Sequence, residues 1–196
     1  GGKGIGTGFS YEGLCYNPLD LITYLRNKIL KKSENIEIEP FYNNFKGTIT
    51  KLKNNRYLFK GKYEVVSSHS IRVTELPIGY WTSKFKEDLE DLMDDKGKKG
   101  KKKTPVVKSY KDMSTDAIVD FTIKFHPNIL GKYITKKVDD NCNQLEKTLK
   151  LYSYKTINNM HLFNKKQQLK KFKDVYEIIE EYYGVRYDMY VKRKEY

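Results

Sequence analysis

The sequence predicts an α+β fold in which short antiparallel strands form small sheets with packed helices, and a long helix closes the chain. Three observations point there. Runs rich in β-branched and aromatic residues recur at 44–52, 56–60, 62–66, 70–74 and 117–125, punctuated by Asn, Gly or Pro. Helix signals appear after Asn17, at Thr82 and from about Asp174. At 196 residues and 23.2 kDa the chain can bury one generous core or two small ones.

The glycine-rich start, Gly1-Gly2-Lys3-Gly4-Ile5-Gly6-Thr7-Gly8, invites a phosphate-loop reading, because closely spaced glycines let N–H groups converge on an anion. No Gly-Lys-Ser/Thr closes it and the spacing is not that of the dinucleotide fingerprint, so a loop without a nucleotide is expected. Asn17-Pro18-Leu19-Asp20 opens a helix: Asn caps, proline suits the first helical position, and an acid follows in the first turn. Leu21, Ile22, Leu25 and Ile29 then recur at helical spacing through about Lys31, and this stripe is expected to be core.

The focal stretch is Asn44-Phe45-Lys46-Gly47-Thr48-Ile49-Thr50-Lys51-Leu52. As a strand it carries Lys46, Thr48 and Thr50 on one face and Phe45 and Ile49 on the other, with Gly47 permitting a close backbone approach. Two readings of Ile49 follow. It is a core residue, as β-branched strand residues usually are, or it is a wedge between base pairs of bent duplex DNA, with Lys46 and Lys51 on phosphates.

Asn54-Asn55 turns this strand back into Arg56–Lys60, and Lys62–Val66 and Ser70–Thr74 continue the meander until Glu75-Leu76-Pro77 ends it. Thr82 or Ser83 is expected to cap a helix through about Met93, with Trp81 as a packing anchor between helix and sheet. Lys96–Lys103 holds six lysines in eight residues, a self-repelling run expected to be a flexible loop over about 94–105. Ala117–Phe125, Lys147–Lys155 and Met160–Phe163 are expected to form a second small sheet. From Asp174, Val175, Ile178, Ile179, Tyr182, Val185 and Met189 mark an apolar helical stripe, and Gly184 costs that helix roughly 1 kcal/mol relative to alanine.

Charge narrows the function classes. Lys and Arg number 38 against 25 acids, for a net charge of +13, which favours a nucleic acid or an anionic surface as partner. No apolar run approaches the ~18 residues of a membrane span, so no membrane partner is expected. His126 and His161 have no partners at metal-ligand spacing, and Cys15 and Cys142 read as reduced thiols of an intracellular protein.

Several segments together carry a family likeness: Gly4-Ile5-Gly6-Thr7-Gly8-Phe9-Ser10, Asn17-Pro18-Leu19, Phe41-Tyr42-Asn43-Asn44-Phe45-Lys46-Gly47-Thr48-Ile49, Glu75-Leu76-Pro77 with Trp81-Thr82, and Tyr182-Tyr183-Gly184-Val185-Arg186-Tyr187. In this order and spacing the chain resembles the type IIA DNA topoisomerases of eukaryotes and large DNA viruses, over the tower part of their breakage-reunion core. The resemblance implies a tower-like unit over 1–172 and the start of a coiled-coil arm over 173–196. It implies Ile49 as the intercalating residue that bends the DNA, with Lys3, Asn44, Lys46, Thr48 and Lys51 as DNA-binding neighbours.

The same resemblance implies a homodimeric, ATP-dependent isomerase acting on double-stranded DNA with Mg²⁺, in a nuclear, viral or host-cytoplasmic setting. The family's catalytic tyrosine, metal-binding acids and ATPase lie upstream of the stretch matched here. No catalytic residue, metal site or cofactor is therefore expected in this chain, which alone should neither cut DNA nor hydrolyse ATP. The rival readings are a non-enzymatic, basic nucleic-acid-binding architectural module and a structural spacer that orients the arm.

Overall fold

Gly8 adopts φ +82°, which glycine tolerates freely, where the chain reverses between β1 (Lys3–Ile5) and β2 (Ser10–Glu12). The start is thus a β-hairpin, where the sequence pattern suggests an open loop. Next comes α1 (Pro18–Ile29), entered as expected: the Asn17 side chain accepts from Leu19 N at 3.0 Å and Pro18 takes the first helical position. The computed structural model describes residues 2–32, 36–95 and 104–196. It divides into two compact units, Gly1–Asn44 with Thr156–Tyr196, and Phe45–Lys155. The lysine run at 96–103 lies outside the described residues.

In the Phe45–Lys155 unit, β3 (Thr48–Lys51) pairs antiparallel with β4 (Arg56–Lys60) around Asn54 and Asn55, both at positive φ. Short polar side chains accept that left-handed conformation, so the Asn-Asn pair makes the turn the sequence predicted. After Gly61 the chain leaves this sheet for another, β5 (Lys62–Ser67) and β6 (Ser70–Glu75). The predicted single meander is therefore two sheets. Gly61 makes the break possible: its N–H donates to Leu151 O at 2.8 Å, and a Cβ there would sit 2.3 Å from Glu75 O.

Helix α2 (Thr82–Met93) follows with Trp81 at its N-cap and no side-chain capping bond, so neither Thr82 nor Ser83 caps it. Trp81 is 74% exposed and is no packing anchor; Phe85 and Leu89, both fully buried, do that work. Strands β7 (Val107–Asp112) and β8 (Phe121–Phe125) complete a four-stranded antiparallel sheet ordered β5, β6, β8, β7. Its inner face supplies Ile71, Val73, Phe121 and Ile123, none with measurable exposure. Phe85 meets Phe121 edge to face with ring centres 5.0 Å apart.

Helices α3 (Leu130–Thr135) and α4 (Gln144–Thr148) cover this core, adding Leu130, Leu145 and Leu149. Lys147 and Thr148, read as strand from sequence, end α4 instead. A capping box starts that helix: Asn143 Oδ1 accepts from Glu146 N at 2.8 Å and Glu146 Oε2 from Asn143 N at 2.9 Å. Only β9 (Tyr152–Thr156) of that segment is strand, and it joins β3 and β4 in a sheet ordered β3, β4, β9. The predicted second sheet therefore does not form, since β8 extends the sheet of β5 and β6, β9 lies beside β4, and the strand at 161–163 pairs elsewhere.

In the other unit β10 (His161–Phe163) pairs with β11 (Leu169–Lys171), and Tyr11 bridges to Met160. The closing helix is α5 (Val175–Glu195), capped by Asp174, whose Oδ1 accepts from Glu177 N at 2.9 Å. The core stripes expected here are only partly buried. In α1, Leu21 and Leu25 are half-buried and Ile22 and Ile29 are exposed, while Asn27 is its one buried residue. In α5, Ile179 is buried and Val185 and Met189 are exposed. The cause is that α1 and α5 meet through polar side chains: Lys28 pairs with Glu180, Tyr24 donates to Glu180 at 3.1 Å, and Lys28 lies over the Tyr183 ring at 4.6 Å. Among the described residues no helix is long and apolar enough to cross a membrane.

Candidate nucleic-acid interface

The edge position of β3 decides what its residues can do. Its partner β4 is buried along Tyr57, Leu58 and Phe59, whereas Thr48, Thr50 and Lys51 on β3 are exposed. Alternation follows the sequence reading: Lys46, Thr48 and Thr50 are exposed while Phe45, Gly47 and Ile49 are half-buried. Ile49 stands directly across from Phe59, which has no exposed surface. The isoleucine is thus neither interior nor free. As register partners the two share a sheet face, and Ile49 is partly covered while part of it reaches solvent.

Gly47 holds the strand close to its neighbour. A Cβ there would lie 2.1 Å from Lys60 O and 2.4 Å from the Phe45 ring, so any larger residue pushes the backbone away. Just before it, Lys46 N donates to Glu75 Oε2 at 3.1 Å, and Glu75 Oε1 accepts from Leu76 N at the same distance. One carboxylate thereby ties the entry of β3 to the end of β6. The Lys46 side chain remains outside, on an exposed residue.

Behind the hairpin, Lys60 pairs with buried Glu146 at 2.8 Å and donates to Asn141 O at 3.3 Å. This consumes the lysine in holding α4, so Lys60 adds structure rather than free charge. At the turn, the Arg56 guanidinium lies 3.7 Å from the Tyr154 ring centre, and the Tyr154 hydroxyl donates to Asp140 Oδ2 at 2.8 Å. Burial, then the Asp140 bond, push the Tyr154 phenol well above its ordinary value, which keeps it a neutral donor. Lys155 lies 5.9 Å over the Phe59 ring.

The structure brings Lys46, Thr48, Ile49 and Lys51 onto one edge. Asn44 is exposed in the turn before it, at φ +60°, a conformation asparagine accepts. Lys3 belongs to the other unit, exposed on β1 with Glu12 as its cross-strand neighbour. Sequence reasoning did not single out Arg56 or Lys155, because each covers a ring about a hundred residues away, Tyr154 for Arg56 and Phe59 for Lys155. Their only local signal was a basic residue beside aromatic neighbours. Both cysteines are free thiols, Cys142 being buried, and burial raises its pKa. His161 Nδ1 lies 3.3 Å from Ser10 O, and among the described residues no three His, Cys, Asp or Glu side chains gather where a metal ion could be held.

Small antiparallel sheets and packed helices, with a basic edge hairpin whose partner strand buries Tyr57, Leu58 and Phe59, define an α+β fold. The chain belongs to the family of DNA gyrase/topoisomerase IV A subunits, whose model matches residues 1–196. It is 35% identical to DNA topoisomerase 2 of Pisum sativum, across the whole of this chain and 13% of that protein. It is 29% identical to DNA topoisomerase 2 of Acanthamoeba polyphaga mimivirus, across the whole of this chain and 19% of that protein. The chain therefore spans less than a fifth of the length of these relatives. Its fold matches the crystal structure of the Plasmodium falciparum topoisomerase II DNA-binding, cleavage and re-ligation domain, with a TM-score of 0.86 and 33% identity over 99% of this chain and 25% of that one. The family likeness and the α+β class read from the sequence are both borne out.

Proposed function

We propose that this chain holds and bends a segment of double-stranded DNA within a type II DNA topoisomerase, so that other parts of the same protein can cut it and pass a second duplex through. Ile49 is the wedge that enters between base pairs. Lys46 and Lys51 neutralise phosphates beside it, Thr48 and Asn44 donate to the backbone, and Lys3 contacts the same duplex. Family membership and a net charge of +13 support a polyanionic partner. The observation that carries the reading is Ile49 itself: half-buried on an edge strand, directly across from fully buried Phe59.

A wedge must stay rigid while it unstacks a base step at a cost of a few kcal/mol, and phosphate contacts along the bent path offset that cost. A flexible or fully buried side chain does neither. In this reading residues 1–172 are the tower-like unit and 173–196 begin the coiled-coil arm of a homodimer. Mg²⁺, ATP and the cleaving tyrosine are supplied elsewhere in the full-length protein, and this stretch by itself is inactive in cleavage and in ATP hydrolysis.

The test is Ile49→Ala in the full-length enzyme, with energy transfer measured across an end-labelled duplex. The expected result is loss of bending and of cleavage, at a stability cost of only about 1 kcal/mol because the side chain is half-buried. Bending that persists unchanged in the variant overturns the assignment.

A further inference from the structure

Arg56 stands out as a cation with a fixed plane and open donors. Its guanidinium is stacked at 3.7 Å on Tyr154, whose own position is set by the bond to Asp140 and by an edge-to-face contact with Tyr152 at 5.7 Å. Among the described residues no carboxylate or carbonyl takes up its N–H fork. Asp140, the carboxylate tied to this ring, is occupied by the phenol. Stacking leaves the in-plane edges of a guanidinium available, and those edges match two oxygens of a phosphate. Arg56 also follows the β3–β4 turn, opposite Leu52 and one position past the Lys51–Tyr57 pair, so it lies on the same hairpin as Ile49 and nearer the tip.

We propose that Arg56 is a preset clamp for a backbone phosphodiester of duplex DNA, oriented by Tyr154, at a point along the hairpin beyond the wedge. The inference rests on the DNA-holding reading above and extends the contact from the strand to the turn. Because the ring already restricts the arginine, less side-chain entropy is lost when the phosphate arrives. Tyr154 is a positioning residue and touches no DNA.

The experiment is equilibrium binding of a fluorescent duplex to the full-length protein across a salt series. It compares wild type, Arg56→Ala, Tyr154→Leu, the double variant and Arg56→Lys. Losing one phosphate contact should lower affinity about eightfold at 0.1 M salt and reduce the salt slope by about one. Arg56→Lys should restore the slope but not the affinity, since lysine brings charge without the stacked fork. Tyr154→Leu should weaken binding alone and add nothing in the Arg56→Ala background. Additive losses would make Tyr154 merely structural and overturn the proposal. So would an unchanged slope in Arg56→Ala while Lys46→Ala lowers it. Absence of salt-dependent duplex binding by wild type would instead remove the DNA-holding reading itself, and this inference with it.

Discussion

The two compact units anchor their helices by different physics. In the Phe45–Lys155 unit, a contiguous set of buried apolar side chains links a four-stranded sheet to α2, α3 and α4. The other unit buries Leu14, Ile38, Ile157, Met160 and Phe172, but its helices add little: α1 buries only Asn27 and α5 only Ile179, and the two meet through Tyr24, Tyr176, Lys28, Glu180 and Tyr183. An apolar core tolerates little change in volume, whereas a polar contact near solvent contributes modestly and depends on salt and pH. The difference predicts that the helices over the four-stranded sheet resist change, while the root of α5 loosens with solution conditions.

The largest expected effect sharpens this contrast with one pair of variants. Phe85→Ala removes a fully buried ring that packs edge to face on Phe121, and should cost about 3–5 kcal/mol. Ile22→Ala, in the stripe that sequence periodicity marks as core, should cost under about 0.5 kcal/mol because Ile22 is 53% exposed. Denaturant midpoints of the two variants measure the gap. Equal losses would mean that the α1 stripe is covered and the contrast is false.

A smaller effect is expected at the hairpin. Gly47→Ala puts a methyl 2.1 Å from Lys60 O, a backbone atom that cannot swing aside. The cost should be about 1–3 kcal/mol, localised as faster amide exchange in β3 with β6 and β8 unchanged. Uniformly faster exchange would show that the hairpin and the four-stranded sheet open as one cooperative piece. Retained protection in β3 would show that the close approach is dispensable.

The same division explains what the sequence could reveal. Where the local pattern decides, sequence and structure agree: the strands at 56–60, 62–67 and 70–75, the Asn54-Asn55 turn, and the alternation around Ile49. Where polar or long-range contacts decide, the pattern misled. Helical spacing in α1 says which residues share a face but not whether anything covers it, and Tyr24 and Lys28 carried the contact instead. Residues 147–148 look like strand by composition, yet the Asn143–Glu146 capping box makes them the end of α4. Trp81 is exposed because Phe85 and Leu89 already fill the space under α2. The candidate residues Ile49, Lys46, Thr48 and Lys51 could be proposed from one contiguous stretch and a family likeness. Arg56 could not, because its orienting ring is Tyr154, distant in sequence.

The smallest expected effect is a pH response confined to the root of α5. Glu177 pairs with Lys170 at 2.7 Å and accepts from Lys173 N at 2.7 Å. The Lys170 hydrogen bond first, then that backbone bond, hold the Glu177 carboxyl below its ordinary value. An unfolded glutamate titrates near about 4.3. The stabilising contribution is therefore complete above that pH, shrinks as acid protonates the unfolded form first, and is gone below the folded value. Asp120 in the other unit behaves alike, since the bidentate Arg72 bonds at 2.9 and 2.8 Å lower its pKa. There, however, the strands beneath it keep their apolar core. Acidification from about pH 5 to 3 should thus increase amide exchange over 177–183, after correction for intrinsic rates, before β8 responds, and Glu177→Gln should remove the pH dependence contributed by this carboxylate. If 177–183 and β8 lose protection at the same pH, the polar root is no weaker than the apolar core, and the distinction between the two units fails at the place where it predicts least.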